Sequence, residues 1–273
     1  MANKFSLHIG LNAVDQSKYK GKYRVLRNAE NDTTYYHSIA KNKNFQATLL
    51  IGRDATSDNL LLNIKGLAAK LKPDDLFFLT YSGHGSRVKD LNGDESDGYD
   101  EALVLYDRLF IDDEFQNCWS LFPADSKIFF VNDSCYNGTV SRFLSLNRGF
   151  MDSIWPDHLF RGIDESETEI DFEQNRGFYS SIKIASENTK APCSIIHISA
   201  CQDNQLADDG STTMRNGFFT TKFKEVYDDG KFNGSYKSFF NTILTLMPPY
   251  QTPNWDTEAG AGATNFEQSD LLN

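Results

Sequence analysis

The chain has 273 residues, 40% of them hydrophobic, enough to bury a sizeable core as one large domain or two small ones. With 27 basic against 38 acidic side chains its formal charge is −11, which argues against general binding of nucleic acid or anionic membranes and suits basic substrates. No run reaches the length of a membrane-spanning helix, and MANKFSLHIGLN has neither the basic head nor the long apolar stretch of a signal peptide, so a soluble, cytoplasmic protein is expected.

In chain order, FSLHIGLN reads as a strand, ENDTTYYHSIAKN as a helix, FQATLLIG as a strand and TSDNLLLNIKGLAAKL as a helix. DDLFFLTYSG and KIFFVNDS follow as strands that are apolar throughout, the pattern of a parallel sheet covered by helices on both faces. Segment 147–192 is polar with little period around one short helical stretch, and is expected to be a long loop or linker within a single domain spanning 1–273. SIIHISA resumes the strand pattern and GFFTTKFKEVYDDG gives a helix, whereas the turn-rich tail TPNWDTEAGAGATNFEQSDLLN predicts little. The fold class is α/β, with a mostly parallel central sheet.

Ligands of open α/β sheets bind beyond the carboxyl ends of the strands. One strand ends in Tyr81-Ser82-Gly83-His84-Gly85-Ser86, where the glycines flanking a histidine allow close backbone approach. Another ends in Asp133-Ser134-Cys135. A thiol becomes a useful nucleophile when a neighbouring base favours its thiolate, and His84 is the natural base for Cys135. They stand 51 positions apart (135 minus 84), close to the separation of about 50 known for caspases. Spacing alone is weak evidence, and a buried cysteine is more often structural; the two strand-end loops together give the pair its weight.

The motifs YSGHGS, GDESDGYDEALVLYD, IDDEF, NDSCYNG and SACQDNQLADD, in that order, resemble the metacaspase and bacterial caspase-like branch of the cysteine peptidases over residues 5 to 220. The resemblance implies a caspase-like three-layer sandwich and a regulated role in stress, cell death or defence. Where animal caspases have Gln-Ala-Cys, this chain has Asp133-Ser134-Cys135. Side chains two apart on extended backbone point the same way, so Asp133 can face the cleft with Cys135. A carboxylate would raise the thiol pKa and cannot activate it, so its expected role is to hold Arg or Lys before the cut. The resemblance implies the same role and adds Asp32 and Ser82, with Asp203 as a further member. Cys135 would attack the carbonyl, His84 would protonate the leaving amine, and the amides of Gly85 and Cys135 would hold the oxyanion.

His8 and His197 sit in apolar strand patterns and read as core histidines, His37 and His158 as surface ones. Cys118, Cys193 and Cys201 read as packing thiols, and the absence of any C-x-x-C pair argues against a zinc ribbon or a disulfide scaffold. Asp90, Asn92, Asp94 and Glu101 fall at positions 1, 3, 5 and 12 of an EF-hand pattern, but Glu95 stands where its glycine is required. Calcium-dependent relatives would, by resemblance, use Asp107, Asp112 and Asp113 with a carboxylate seven residues after the nucleophile, where this chain has Arg142. Arginine cannot coordinate a cation, so no cofactor is expected.

The expected partners are a protein or peptide substrate and an activating protein or small-molecule signal. Arg148, Arg161, Arg176, Lys183 and Lys190 in segment 147–192 match the inferred specificity, so this segment is either an internal inhibitor or self-cleavage site, or a folded surface insertion. Two other readings of the whole chain stand beside the peptidase: a catalytically silent binding module, and a non-peptide thiol hydrolase on the same scaffold.

Overall fold

The structure, a computed structural model, describes residues 2–91, 98–136, 157–186, 191–202, 205–260 and 265–273. The first half alternates β1 (Lys4–Gly10), α1 (Ala29–Asn42), β2 (Gln46–Ile51), α2 (Ser57–Ala68) and β3 (Leu76–Ser82). β4 (Gly85–Lys89), β5 (Tyr99–Val104) and β6 (Leu109–Ile111) then form a small antiparallel sheet, followed by α3 (Asp112–Trp119) and β7 (Lys127–Asp133). The second half holds β8 (Leu159–Phe160), α4 (Glu165–Gln174), α5 (Arg176–Ser186), β9 (Ser194–Ser199), β10 (Asp208–Gly210), α6 (Phe218–Tyr227), α7 (Tyr236–Leu246) and β11 (Asn254–Glu258).

The main sheet runs in the order β11-β9-β7-β3-β1-β2, parallel except for β11 against β9. β3 is buried at every position, and its side chains alternate between two cores. Phe77, Leu79 and Tyr81 pack with Leu60 and Ile64 of α2 and Phe115 and Trp119 of α3. Leu76 and Phe78 face Tyr36 and Ile39 of α1, Phe219 and Phe223 of α6, and Phe239 of α7. Phe77 and Phe78 have no exposed surface, and burying each contributes roughly 1.5 to 3 kcal/mol. This is the three-layer α/β sandwich expected from the continuous apolar strands.

Segment 147–192 departs from expectation, because its described part is built rather than looped: it carries β8, α4 and α5. The helix α4 has almost no apolar stripe because polar groups hold it in place. Its Asp171 accepts from the amides of Lys20 (2.6 Å) and Gly21 (3.2 Å) and from the Tyr23 hydroxyl (2.7 Å). Its Thr168 hydroxyl lies 2.9 Å from that of Ser86. The tail also contains structure that its turn-rich composition conceals, namely the edge strand β11.

Candidate active site

β3 and β7 lie side by side and end in register, Ser82 opposite Asp133. His84 and Cys135 are therefore each the second residue beyond a paired strand end, at one edge of the sheet. Gly85 is a glycine because the Ser134–Cys135 backbone passes too close for a side chain: a Cβ there would stand 2.5 Å from the Cys135 carbonyl oxygen. That contact ties the histidine loop to the cysteine loop.

The Cys135 thiol and the His84 ring are both buried and engaged by backbone carbonyls. The Cys135 thiol donates to the Gln205 carbonyl at 2.9 Å, a bond that favours the thiol over the thiolate. Cys201 lies beside it, its own thiol 3.7 Å from the same carbonyl, and its contact to Cys135 together with burial holds the Cys201 thiol well above its ordinary pKa. His84 Nε2 lies 2.6 Å from the Arg24 carbonyl oxygen and Nδ1 lies 3.1 Å from that of Arg161. Burial lowers the His84 pKa, and the two carbonyls oppose that shift. A neutral ring donates to only one of them; donating to both requires the protonated ring.

Beside these groups lies a buried acidic subsite. Asp32, in the first turn of α1, Asp133 and Asp209 converge on Arg161, whose side chain has 0% exposure. The guanidinium uses its full fork. Nε donates to Asp209 Oδ1 (3.1 Å), one terminal nitrogen bonds Asp32 and Asp209 (2.9 Å), and the other reaches the Asp133 carbonyl and carboxylate, both at 2.9 Å.

Each carboxylate also has partners of its own. Asp32 accepts from Asn216 Nδ2 (2.8 Å) and the Gly217 amide (3.1 Å), Asp133 from the Thr220 hydroxyl (2.7 Å), and Asp209 from the Arg27 amide (2.7 Å). Gly217 is also where the wall approaches the guanidinium, since a Cβ there would fall 2.5 Å from an Arg161 nitrogen. Burial pushes the Asp32 pKa up to about 7 against the pull of Arg161, with Asp133 adding to the rise, and burial likewise raises Asp133.

Of the residues expected from sequence, the structure brings His84, Gly85, Cys135, Asp133 and Asp32 into one region, with Ser82 buried beside Asp133 on the neighbouring strand. Asp203 lies outside the described residues, as do Arg142 and residues 92–97 of the Asp90–Glu101 loop. Asp209 was missed, although it stands in the quoted SACQDNQLADD motif: two adjacent acids gave no hint which one turns inward. Gly217 and Thr220 were read only as part of a helix.

The three acids that resemblance implies for calcium fall in two places. Asp107 instead caps α2, accepting from the Ser57 amide (2.8 Å) and hydroxyl (2.7 Å). Asp112 and Asp113 are joined by Asp100 of β5, with ligand oxygens all within 4.8 Å of one another. Hairpin pairing brings Asp100 to the start of α3, a proximity that linear spacing does not reveal. These are hard oxygen donors of the kind calcium takes, but calcium takes roughly six to eight oxygens, so three side chains would supply only part of its shell.

The remaining histidines divide as follows. His8 is fully buried with Nδ1 3.0 Å from Thr80 Oγ1, and His197 stacks on Phe130 at 4.6 Å. His158, expected at the surface, is only partly exposed and pairs with Asp208 at 2.7 Å. Among the described residues no helix is long and apolar enough to cross a membrane.

A family model described as "Caspase domain" matches residues 13–269. Metacaspase-1 of Schizosaccharomyces pombe is 30% identical over 196 residues, covering 63% of this chain and 46% of that protein. Metacaspase-6 of Arabidopsis thaliana is 33% identical over 149 residues, covering 50% of this chain and 39% of that protein. The chain thus spans about half or less of the length of these curated relatives. Among solved structures, protein GSU0716 from Geobacter sulfurreducens superposes with a TM-score of 0.82 at 36% identity, covering 98% of this chain and 97% of that one. A family match across nearly the whole chain, with metacaspases among its relatives and the sandwich architecture in place, means that the chain belongs to the caspase-domain family as a metacaspase-like member.

Proposed function

We propose that the protein is a cysteine endopeptidase that cleaves after Arg or Lys through a His84–Cys135 dyad. The observation that carries this reading is the subsite of Asp32, Asp133 and Asp209, which closes around a guanidinium beside the thiol and the imidazole. A basic side chain seated there presents its own carbonyl to the Gly85 amide, the oxyanion donor. The Cys135 sulfur adds to that carbonyl, His84 delivers a proton to the departing amine, and water hydrolyses the thioester to free the thiol. His84 is suited to the exchange because its burial keeps the ring from holding a proton tightly.

An acidic residue before the cut would meet three carboxylates and be repelled. Calcium is not required in this reading, which rests on Arg142 standing where dependent relatives have a carboxylate. The substrates are proteins or peptides rather than nucleic acid or lipid, and the place of action is the cytoplasm. A peptide panel with Arg, Lys or Asp before the scissile bond tests the proposal. Cys135→Ala and His84→Ala are expected each to lower turnover of the Arg peptide by about a thousandfold or more while the fold persists. Near-wild-type turnover by either variant would remove the dyad, and preference for Asp would remove the subsite.

A further inference from the structure

The carbonyl that holds the Cys135 thiol belongs to no helix or strand: Gln205 stands between β9 and β10. Its oxygen receives the Cys135 thiol at 2.9 Å and the Cys201 thiol at 3.7 Å. A carbonyl oxygen carries partial negative charge, so it stabilises a thiol and repels a thiolate. Where Gln205 sits therefore decides both the aim of the sulfur and the ease with which it loses its proton.

Gln205 is fixed from the far edge of the sheet. β11 pairs with β9 with Asn254 opposite Ser199, which sets the turn 248–252 beside the residues that follow β9. Two glutamines cross this boundary in opposite directions. Gln205 reaches into the turn: Nε2 donates to the Pro249 carbonyl (2.9 Å) and the Thr252 hydroxyl (3.2 Å), and Oε1 accepts from the Thr252 amide. Gln251 reaches back out of it: Nε2 donates to the Ala200 carbonyl (3.2 Å) and Oε1 accepts from the Asp208 amide (3.1 Å). One of those partners directly follows β9 and the other begins β10, so Gln251 spans the segment that carries Gln205. The Ala200 amide in turn donates to the Asn132 carbonyl of β7 at 2.9 Å, two residues before the strand turns toward Cys135. Gln251 has no exposed surface, and both ends of its buried amide are engaged, as a fixed structural clasp requires.

We propose that Gln205 and Gln251 are positioning residues for Cys135: their reciprocal side-chain bonds hold the Gln205 carbonyl where it keeps the sulfur aimed and in its thiol form. The proposal rests on the peptidase reading for the role of Cys135 as nucleophile but makes a separate claim about the state of the thiol.

The test is Gln251→Met, which keeps the length of the side chain and removes both of its hydrogen bonds. Alkylation of each cysteine by iodoacetamide is followed by mass spectrometry. In the folded variant Cys135 is expected to react at least about tenfold faster than in the native protein, since the thiolate is the reacting form and the carbonyl no longer opposes it. Cys118 and Cys193, which lie in the core on the other face of the sheet, are internal controls whose rates should not change. With an Arg peptide, kcat is expected to fall about tenfold or more because the sulfur loses its aim, while KM stays within about twofold because the acidic subsite keeps its own donors. An unchanged Cys135 rate, an equal acceleration of all four cysteines or an unchanged kcat would each overturn the proposal. Should Gln251→Met fail to fold, Gln205→Met breaks the other half of the clasp and is judged by the same readouts. A native protein that cleaves no basic peptide would remove the peptidase reading, and the alkylation rates would then decide the clasp alone.

Discussion

Two groups of three carboxylates lie on opposite faces of the main sheet, and they are built differently. Asp32, Asp133 and Asp209 surround a fully buried guanidinium, and hydroxyl, amide and backbone donors hold each of them in place. Asp100, Asp112 and Asp113 sit where β5 meets α3. Asp112 and Asp113 border a cavity of about 250 Å³ that is also lined by Trp119, Phe130, His197 and Glu258. Acidic composition alone does not define a cation site. What marks the first group is the guanidinium at its centre, a planar fork that meets all three carboxylates.

The sharpest way to break this comparison is to remove the cation from the first group. Arg161→Met is expected to lower unfolding free energy by about 3 to 5 kcal/mol at pH 8, because it strands buried charge. The loss should shrink on acidification. With Arg161 in place Asp32 already titrates near 7, and removing the arginine takes away the attraction that opposes this rise for Asp32 and Asp133. A folded state with raised carboxylate pKa values binds more protons than the unfolded chain, so its stability is greatest below the ordinary value near 3.8 and is lost as pH rises through the folded value. Urea unfolding at pH 5 and pH 8 checks the sign; a deficit independent of pH would mean that the carboxylates do not feel the arginine.

Asp133→Asn keeps the shape of the subsite and removes one charge. It should lower kcat/KM for Arg peptides by roughly 100-fold or more. An unchanged value would leave the first group no more specific than the second.

Asp107→Ala addresses the residue that sequence placed in the second group and structure places at the start of α2. It should cost about 1 kcal/mol as a lost helix-end contact, read by chemical denaturation. It should leave calcium titration of the protein unchanged.

The smallest effect is expected for Asp112→Asn/Asp113→Asn, with turnover in chelator within about twofold of wild type, since the proposed dyad and acidic subsite use neither residue. Activity restored by calcium in the native protein and absent in this variant would give the second group the importance assigned here to the first.

β3 and β7 were legible because uninterrupted apolar runs leave few alternatives to a doubly covered strand, and the nearness of the His84 and Cys135 loops was legible because each follows such a run. Asp133 was readable from its two-residue offset to Cys135, and Asp32 only from family likeness. Asp209 and Asp100 were not readable, since each reaches its site through a long-range pairing: β8 with β10 for one, β5 with β6 for the other. α4 escaped because Asp171 and Thr168 anchor it through hydrogen bonds, and hydrophobic period cannot report such contacts.

The anchoring of α4 has a mechanical side. The strand 159–163 runs directly into α4, and Asp171 of that helix grips the backbone of Lys20 and Gly21 and the hydroxyl of Tyr23, just before Arg24 lays its carbonyl on His84. The segment whose carbonyl lies on the imidazole and the segment whose guanidinium lies among the carboxylates are thus both tethered to α4. A displacement of α4 would therefore be felt at the imidazole and at the acidic subsite together, although the helix touches neither His84 nor the three carboxylates through the bonds described above.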